Sequence, residues 1–308
     1  MMTATATTPD ILWLGDRACH DPAQVGGKAA HLSRLAAGYR VPPGFCLTAD
    51  TFDPAHSPDA PLPPALAATL TAAYNTLCRR SDIPDMPVAV RSSALDEDGE
   101  LASFAGQHET ELNLTGIEAV LGAVARCWAS GRNERALAYR EQHGLDLEEA
   151  RIAVLVQQLV TADVSAVVFS ANPVTKNLDE VVVTATWGLG ESLVGGTATP
   201  DTWVVHKADL TVKEEWIGAK ERMTVAMTGG TREVAVPRLL RKRASLSRAQ
   251  VVELAELAVE LEEKMSRPVD IETAYAREEL FLVQCRPITT LDEVEATPVA
   301  EVSAAASV

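Results

Sequence analysis

The sequence predicts an α+β fold of two lobes built on substantially antiparallel sheets. Three observations point there. Strand-like, helix-like and glycine-turn segments are mixed without the strict strand–helix alternation that builds a parallel sheet. At 308 residues the chain is long for a single hydrophobic core and divides more naturally into two lobes. Hydrophobic residues make up 47% and charged residues 23%, the balance of a protein that buries a core in water.

The elements follow in order. Residues 11–50 read strand, helix, turn. Gly26 and Gly27 precede Lys28, and Ala29, Leu32, Leu35 and Ala36 recur at helical spacing up to Gly38, a candidate C-terminal cap. Val41-Pro42-Pro43-Gly44-Phe45 is a rigid turn, and the proline-rich stretch 53–64 a surface loop. A helix runs from Pro64 to about Arg80. Met86 to Ala94 is a short apolar strand ending in Arg91-Ser92-Ser93, followed by an acidic, glycine-containing loop through Gly106. Glu109 to Leu114 alternates as a strand, and Ile117 to Gln142 reads as a helix. Ile152 to Val160 and Val164 to Ser170 are strands around Thr161-Ala162-Asp163, and Glu180 to Thr186 is a third. Trp187 to Glu191 turns from strand to helix. Thr202 to His206 and Thr211 to Ile217 are further strands. Residues 220–245 are basic, contain glycine and read as an irregular, mobile connection. Ser247-Arg248-Ala249-Gln250 is a capping box opening a helix that buries Leu254, Leu257, Leu261 and Met265. Beyond Thr290 an acidic, then Ala/Ser/Val-rich tail (291–308) is expected to lack fixed structure.

Bulk properties exclude several roles. The net charge of −16, from 27 basic and 43 acidic residues, repels a phosphate backbone, so no nucleic-acid partner is expected. A small anionic ligand needs only a local cluster of cations. No apolar run is long enough to cross a bilayer, and Met1 to Asp10 lacks a signal-peptide pattern, so no membrane role and a cytoplasmic location are expected. Cys19, Cys46, Cys78, Cys127 and Cys285 are far apart, without a C-x-x-C pair, and read as reduced thiols.

The chemistry concentrates in Val269 to Thr289, two strands joined by a charged turn. Asp270 and Glu272 alternate on the first strand, Gln284 and Arg286 on the second, and side chains two apart share a face. A three-residue Arg277-Glu278-Glu279 loop sets Glu272 opposite Gln284 and Asp270 opposite Arg286. A two-residue loop would put the two polar pairs on opposite faces. Two carboxylates, an amide and a guanidinium on one face could hold a divalent metal beside a polyphosphate. Taken alone, such a face is more commonly a solvated salt-bridge ladder.

Other segments are individually ambiguous. Lys28 sits at a glycine-marked helix start, where backbone N–H groups favour an anion, but the Walker A pattern fails at Pro22 and Ala29. Arg91 ends a buried-looking strand, where it either faces a cleft or pairs with Asp96, Glu97 or Asp98. The loop Ala94 to Gln107 is small enough in places to approach a triphosphate, or is simply solvated. Gln157 is polar in the apolar strand Val154-Leu155-Val156 and must find a hydrogen bond, from an adenine edge or, more commonly, from backbone. Gly188-Leu189-Gly190-Glu191 is a short glycine turn. The six histidines are scattered, none in a Gly-rich Ser-His context.

In order along residues 12–290, nine segments accumulate: Gly26-Gly27-Lys28, Val41 to Phe45, Val90-Arg91-Ser92-Ser93, Ala102 to Gln107 (Ala-Ser-Phe-Ala-Gly-Gln), Asn172-Pro173-Val174-Thr175, Gly188 to Glu191, Thr199-Pro200-Asp201, Asp270-Ile271-Glu272 and Gln284 to Thr289. Together they resemble the N-terminal ATP-binding (PEP/pyruvate-binding) domain of the phosphoenolpyruvate synthase and pyruvate phosphate dikinase family, also found in rifampicin phosphotransferase. The resemblance implies an ATP-grasp-like fold, with residues 1–290 one module whose two lobes clamp Mg-ATP. It implies that Lys28 and Arg91 reach the phosphates, that the loop carrying Gly106, with Thr110 just beyond, covers them, and that Gln157 faces the adenine region. Glu272 and Gln284 would hold Mg²⁺, and Arg286 would contact phosphate and transition-state charge; Lys28, Arg91 and Arg286 are thus the catalytic candidates. Asp270 is a supporting candidate behind these.

The resemblance further implies an ATP-dependent phosphotransferase of dikinase type. Relatives carry a swivelling phosphohistidine domain marked Gly-Gly-x-x-Ser-His and a substrate domain, and that motif does not occur in these 308 residues. The expected partners are therefore a separate phosphohistidine protein, a substrate-binding domain and a small-molecule acceptor, with AMP and phosphate as eventual products. A stand-alone ATP-dependent kinase or ligase, or a non-catalytic nucleotide-binding module, is the alternative. The chain departs from the family at Ala166, where glycine is common, and Thr273, where the synthases commonly have tryptophan.

Overall fold

The computed structural model describes residues 11–53, 55–95, 110–131, 141, 151–288 and 291. The loop carrying Gly106 and the tail 292–308 lie outside them. Two antiparallel sheets form the two lobes. The first has the order β1-β2-β5-β3-β4, made of β1 (Ile11–Trp13), β2 (Gly44–Leu47), β3 (Val88–Ala94), β4 (Thr110–Leu114) and β5 (Ile152–Gln158). The second has the order β13-β12-β6-β7-β8-β9. Its strands are β6 (Val164–Phe169), β7 (Glu180–Trp187), β8 (Asp201–His206), β9 (Val212–Trp216), β12 (Val269–Ala276) and β13 (Glu279–Pro287). The α+β expectation is met.

The strand period of two explains how the first sheet divides its faces. On β5, Ile152, Val154 and Val156 point into a core under α2 (Pro64–Ser81) and α3 (Ile117–Ser130), joined by Leu66, Leu70, Leu77, Val124 and Trp128. Ala153 and Leu155 point the other way, into a second core shared with α1 (Pro22–Leu35) and the far lobe. That core continues through Val168, Val183, Trp203 and Ile271 to α6 (Arg248–Met265), which buries Val251, Leu254, Ala258 and Leu261. The capping box expected at Ser247 is formed in both directions, with Ser247 Oγ accepting from Gln250 N at 3.3 Å and Ser247 N donating to Gln250 Oε1 at 2.9 Å.

Helix α1 is kinked at Gly26 (φ 73°, ψ 164°), so its regular part starts at the glycine pair. A Cβ on Gly26 would stand 2.5 Å from the Ser93 carbonyl oxygen, so only glycine lets α1 lie this close to β3. The Ser93 hydroxyl in turn accepts from Ala29 N at 3.4 Å. The helix closes at Ala36, two residues before the expected cap at Gly38.

Thr161-Ala162-Asp163 lies between two strands as expected; β5 and β6 belong to different sheets, so the segment is the crossing between lobes. Two expectations are corrected. Residues 220–245 are not irregular. They form a separate hairpin, β10 (Arg222–Met227) with β11 (Gly230–Ala235), and then the single turn α5 (Arg238–Arg241). The β12–β13 turn has two central residues, Arg277 (φ 52°) and Glu278 (φ 68°), rather than three. The pairing register nevertheless shifts by one between Glu272 and Thr273, a bulge that absorbs Val283. Asp270 therefore still faces Arg286, and Glu272 still faces Gln284.

Candidate functional site

A cavity of about 370 Å³ lies between the two sheets, at the lower end of the usual size for small-molecule sites. On the first sheet Arg91 pairs with Thr110 and Leu155, while Ala89 pairs with Gln157. Cross-strand partners share a face, so Ala89, Arg91, Thr110 and Gln157 all line the same wall. On the second sheet Glu272 pairs with Val167 and Gln284, and Ala274 with Ser165, which makes the opposite wall. The bulge brings Val283 and Gln284 to the cavity together.

Five of the predicted site residues thus meet in one cavity: Arg91, Thr110, Gln157, Glu272 and Gln284. Arg91 Nη1 stands 3.9 Å from Glu272 Oε2, across the gap between the lobes. The Arg91 side chain is 10% exposed, and its Nε is buried without a hydrogen-bond partner. A buried guanidinium with an unused donor and one distant carboxylate suits an incoming anion.

Two more predicted residues, Lys28 and Arg286, do not line the cavity. Lys28 Nζ donates to the Ser92 carbonyl at 3.2 Å, one residue from Arg91. Arg286 lies two residues beyond Gln284 on the same face, and its Nε and Nη2 donate to Asp270 Oδ2 at 2.9 and 2.7 Å. Gly106 falls outside the described residues. Gln157 is buried, and its amide donates to the Pro42 carbonyl at 3.1 Å, so the backbone alternative is realised at the cavity wall.

Asp270 is 6% exposed, and its Oδ1 is buried without a hydrogen-bond partner. Burial pushes its carboxyl above the ordinary range, the Arg286 charge pulls it back, and Glu272 pushes it up again. Among the described residues no group of three or more His, Cys, Asp or Glu side chains forms a metal cage. Magnesium bound together with a polyphosphate does not need one. It takes one or two carboxylates and keeps oxygen ligands from phosphate and water. The Glu272 carboxylate and the Gln284 amide, directly opposite on one face, fit that donor set.

The sequence reading missed the wall formed by Leu189, Glu191, Leu193 and Val194, around the short α4 (Glu191–Val194). The signal available was the glycine turn itself. Gly188 has φ 79°, and a Cβ there would stand 2.3 Å from the Thr224 carbonyl oxygen of β10. The β10–β11 hairpin therefore docks on this turn, with Leu189 N donating to Thr224 O at 2.8 Å. The five cysteines are free thiols, all buried except the partly buried Cys78. Among the described residues no helix is long and apolar enough to cross a membrane.

Comparison with known proteins adds a family. Residues 55–306 match the model described as pyruvate phosphate dikinase, AMP/ATP-binding domain. A probable phosphoenolpyruvate synthase of Methanocaldococcus jannaschii is 36% identical over 91% of this chain and 27% of its own length. A rifampicin phosphotransferase of Streptomyces sviceus is 38% identical over 87% of this chain and 34% of its own. The uncharacterized phosphotransferase YvkC of Bacillus subtilis is 42% identical over 67% of this chain and 25% of its own. The chain thus spans roughly a quarter to a third of the length of these relatives.

Proposed function

This chain belongs to the pyruvate phosphate dikinase AMP/ATP-binding domain family, and we propose that it binds Mg-ATP in the cavity between its sheets as the nucleotide-binding part of a phosphoenolpyruvate-synthase-like phosphotransferase. The observation that carries this reading is the meeting of Arg91 from one lobe with Glu272 and Gln284 from the other around a single cavity. Phosphoryl transfer asks a protein mainly for positioning and charge neutralisation, which such a pairing of walls can supply.

In this account Arg91 binds phosphate oxygens through its unused donor. Lys28, bonded one residue from Arg91, and Arg286, two residues beyond Gln284, add positive charge when the nucleotide enters. Glu272 and Gln284 hold Mg²⁺, which screens the charge of the phosphates. Gln157 and the apolar wall at Leu189 and Leu193 flank the base, and Thr110 with the loop carrying Gly106 covers the phosphates. The β-phosphoryl group passes to a histidine on a separate partner protein and ultimately to a small-molecule acceptor; the α-phosphate leaves as AMP and, with one water consumed, the γ-phosphate leaves as phosphate.

The test is to incubate the protein with Mg-ATP and a candidate partner bearing a Gly-rich Ser-His motif, and to follow AMP. Partner-dependent AMP and a phosphorylated partner histidine are expected. ADP formed with a small molecule and no partner would support a stand-alone kinase or ligase instead. Tight binding with no turnover under any pairing would leave a nucleotide-binding module.

A further inference from the structure

The two lobes meet at a second place, away from the crossing segment. Asn113, on β4 of the first lobe, has φ 60° and is 7% exposed. Its Nδ2 donates to the carbonyls of Met227 and Gly230 at 2.6 and 2.5 Å. These residues pair with each other at the two ends of the β10–β11 turn. The hairpin is rooted in the other lobe. Its base is closed by Val236 N donating to Glu221 O at 2.9 Å. Just before it, fully buried Lys220 pairs with fully buried Asp201. Asp201 also accepts from Gly218 N at 2.9 Å, and from Ser245 N and Oγ at 2.7 Å each. Midway along, the Thr224 carbonyl holds Leu189 N–H, at the start of the cavity wall that runs to Gly195.

We propose that Asn113 is a positioning residue for the cavity. By gripping the hairpin tip it fixes the Leu189–Gly195 wall of one lobe against Thr110 and Leu112 of the other. The chemistry is specific to a donor. Two carbonyl oxygens converge on one side-chain nitrogen, and an amide NH₂ offers two hydrogens where a carboxylate offers none. The geometry is specific too, since asparagine tolerates the left-handed backbone that this point of β4 adopts. The hairpin belongs to neither large sheet; among the described residues, the Asn113 bonds, the Leu189–Thr224 bond and the ion pair at its root are the polar ties that hold it in place. Of these, only the Asn113 bonds tie it to the first lobe by a side chain, and parting the lobes at this edge requires their release.

The proposal stands on geometry; its consequence for ATP rests on the function proposed above, and two measurements separate them. The first is amide hydrogen exchange without nucleotide, comparing wild type with Asn113→Gly and Asn113→Asp. Glycine accepts the left-handed backbone, so that variant loses only the grip. Exchange across 222–235 and at Leu189 should rise about tenfold or more in both variants, the effect of losing one or two net hydrogen bonds. Asparagine to aspartate should have the larger effect, because a carboxylate would face two carbonyl oxygens, while β12–β13 stays protected. Unchanged exchange in the hairpin, or an equal rise throughout the molecule, overturns the proposal. The second is stopped-flow dissociation of a fluorescent ATP analogue, expected to be about tenfold faster in Asn113→Gly. A wild-type rate in a variant whose hairpin is released overturns the positioning role. Failure of the wild type to bind the analogue overturns the ATP reading instead, and the exchange result then stands by itself.

Discussion

Two hairpins bear on the cavity, one lining it and one docked on the turn that begins its wall, and they are held by opposite means. β12–β13 is embedded: β12 pairs with β6 on its other side, Ile271 and Cys285 sit in the core, and Glu272 and Gln284 line the cavity. β10–β11 stands apart as a two-stranded sheet, fixed by a buried ion pair at its root, one backbone bridge in the middle and one side-chain amide at its tip. Packing holds the first rigid, as the metal and phosphate ligands of a phosphotransferase would need. A few polar contacts hold the second, which suits an element that lets a ligand past. On the function proposed above, the difference is that between a wall that would hold metal and phosphate and a strap that would set access.

The sharpest way to break the comparison is at the strap's root. Lys220→Ala strands the fully buried Asp201 carboxylate and should cost about 3–5 kcal/mol of stability, read as a large fall in melting temperature. A near-neutral result would mean that the ion pair does not anchor the strap. On the embedded hairpin, Glu272→Gln should lower Mg-dependent, partner-coupled turnover on the order of 100-fold while leaving thermal stability nearly unchanged. Equal losses of both would return Glu272 to a salt-bridge role with Arg91. Next, Gly188→Ala would press a Cβ into the Thr224 carbonyl at a left-handed backbone position. It should destabilise by about 1–3 kcal/mol, with hairpin β10–β11 losing exchange protection first.

The smallest effect is a pH dependence on the α1 side. Burial, with the charges of Arg34 and Arg267 behind it, lowers the His31 pKa from 6.5 to about 4. The unfolded chain therefore binds this proton more readily than the folded one. Stability from this group is full above pH 6.5 and is lost as pH falls toward 4. At pH 5.5 the loss should be about 1 kcal/mol and should vanish in His31→Gln. A pH profile identical in that variant would assign the loss to other groups.

The sequence made the first hairpin legible and hid the second, for physical reasons. Asp270, Glu272, Gln284 and Arg286 alternate against apolar neighbours, so a period-two pattern exposes their shared face. The loop length was misread, because a bulge at Val283 gives the same final pairing with a shorter turn, and an absorbed residue leaves no local signature. The strands of β10–β11 carry Arg222, Arg232 and Glu233 and bury little, so neither hydrophobic alternation nor a large core marked them. Their partners Asn113, Gly188 and Asp201 lie 19 or more residues away in sequence, and only the fold brings them together. The strands on either side of 161–163 were legible from their apolar residues, but nothing in those residues says which sheet each joins.

The most direct test of the account is the magnesium dependence of ATP binding, measured by calorimetry in wild type and Glu272→Gln. If the two walls form one Mg-ATP cradle, chelating the metal should weaken wild-type binding at least about tenfold, and Glu272→Gln should bind weakly with little response to the metal. Wild-type binding indifferent to magnesium, or a Glu272→Gln variant with the full wild-type response, would contradict it.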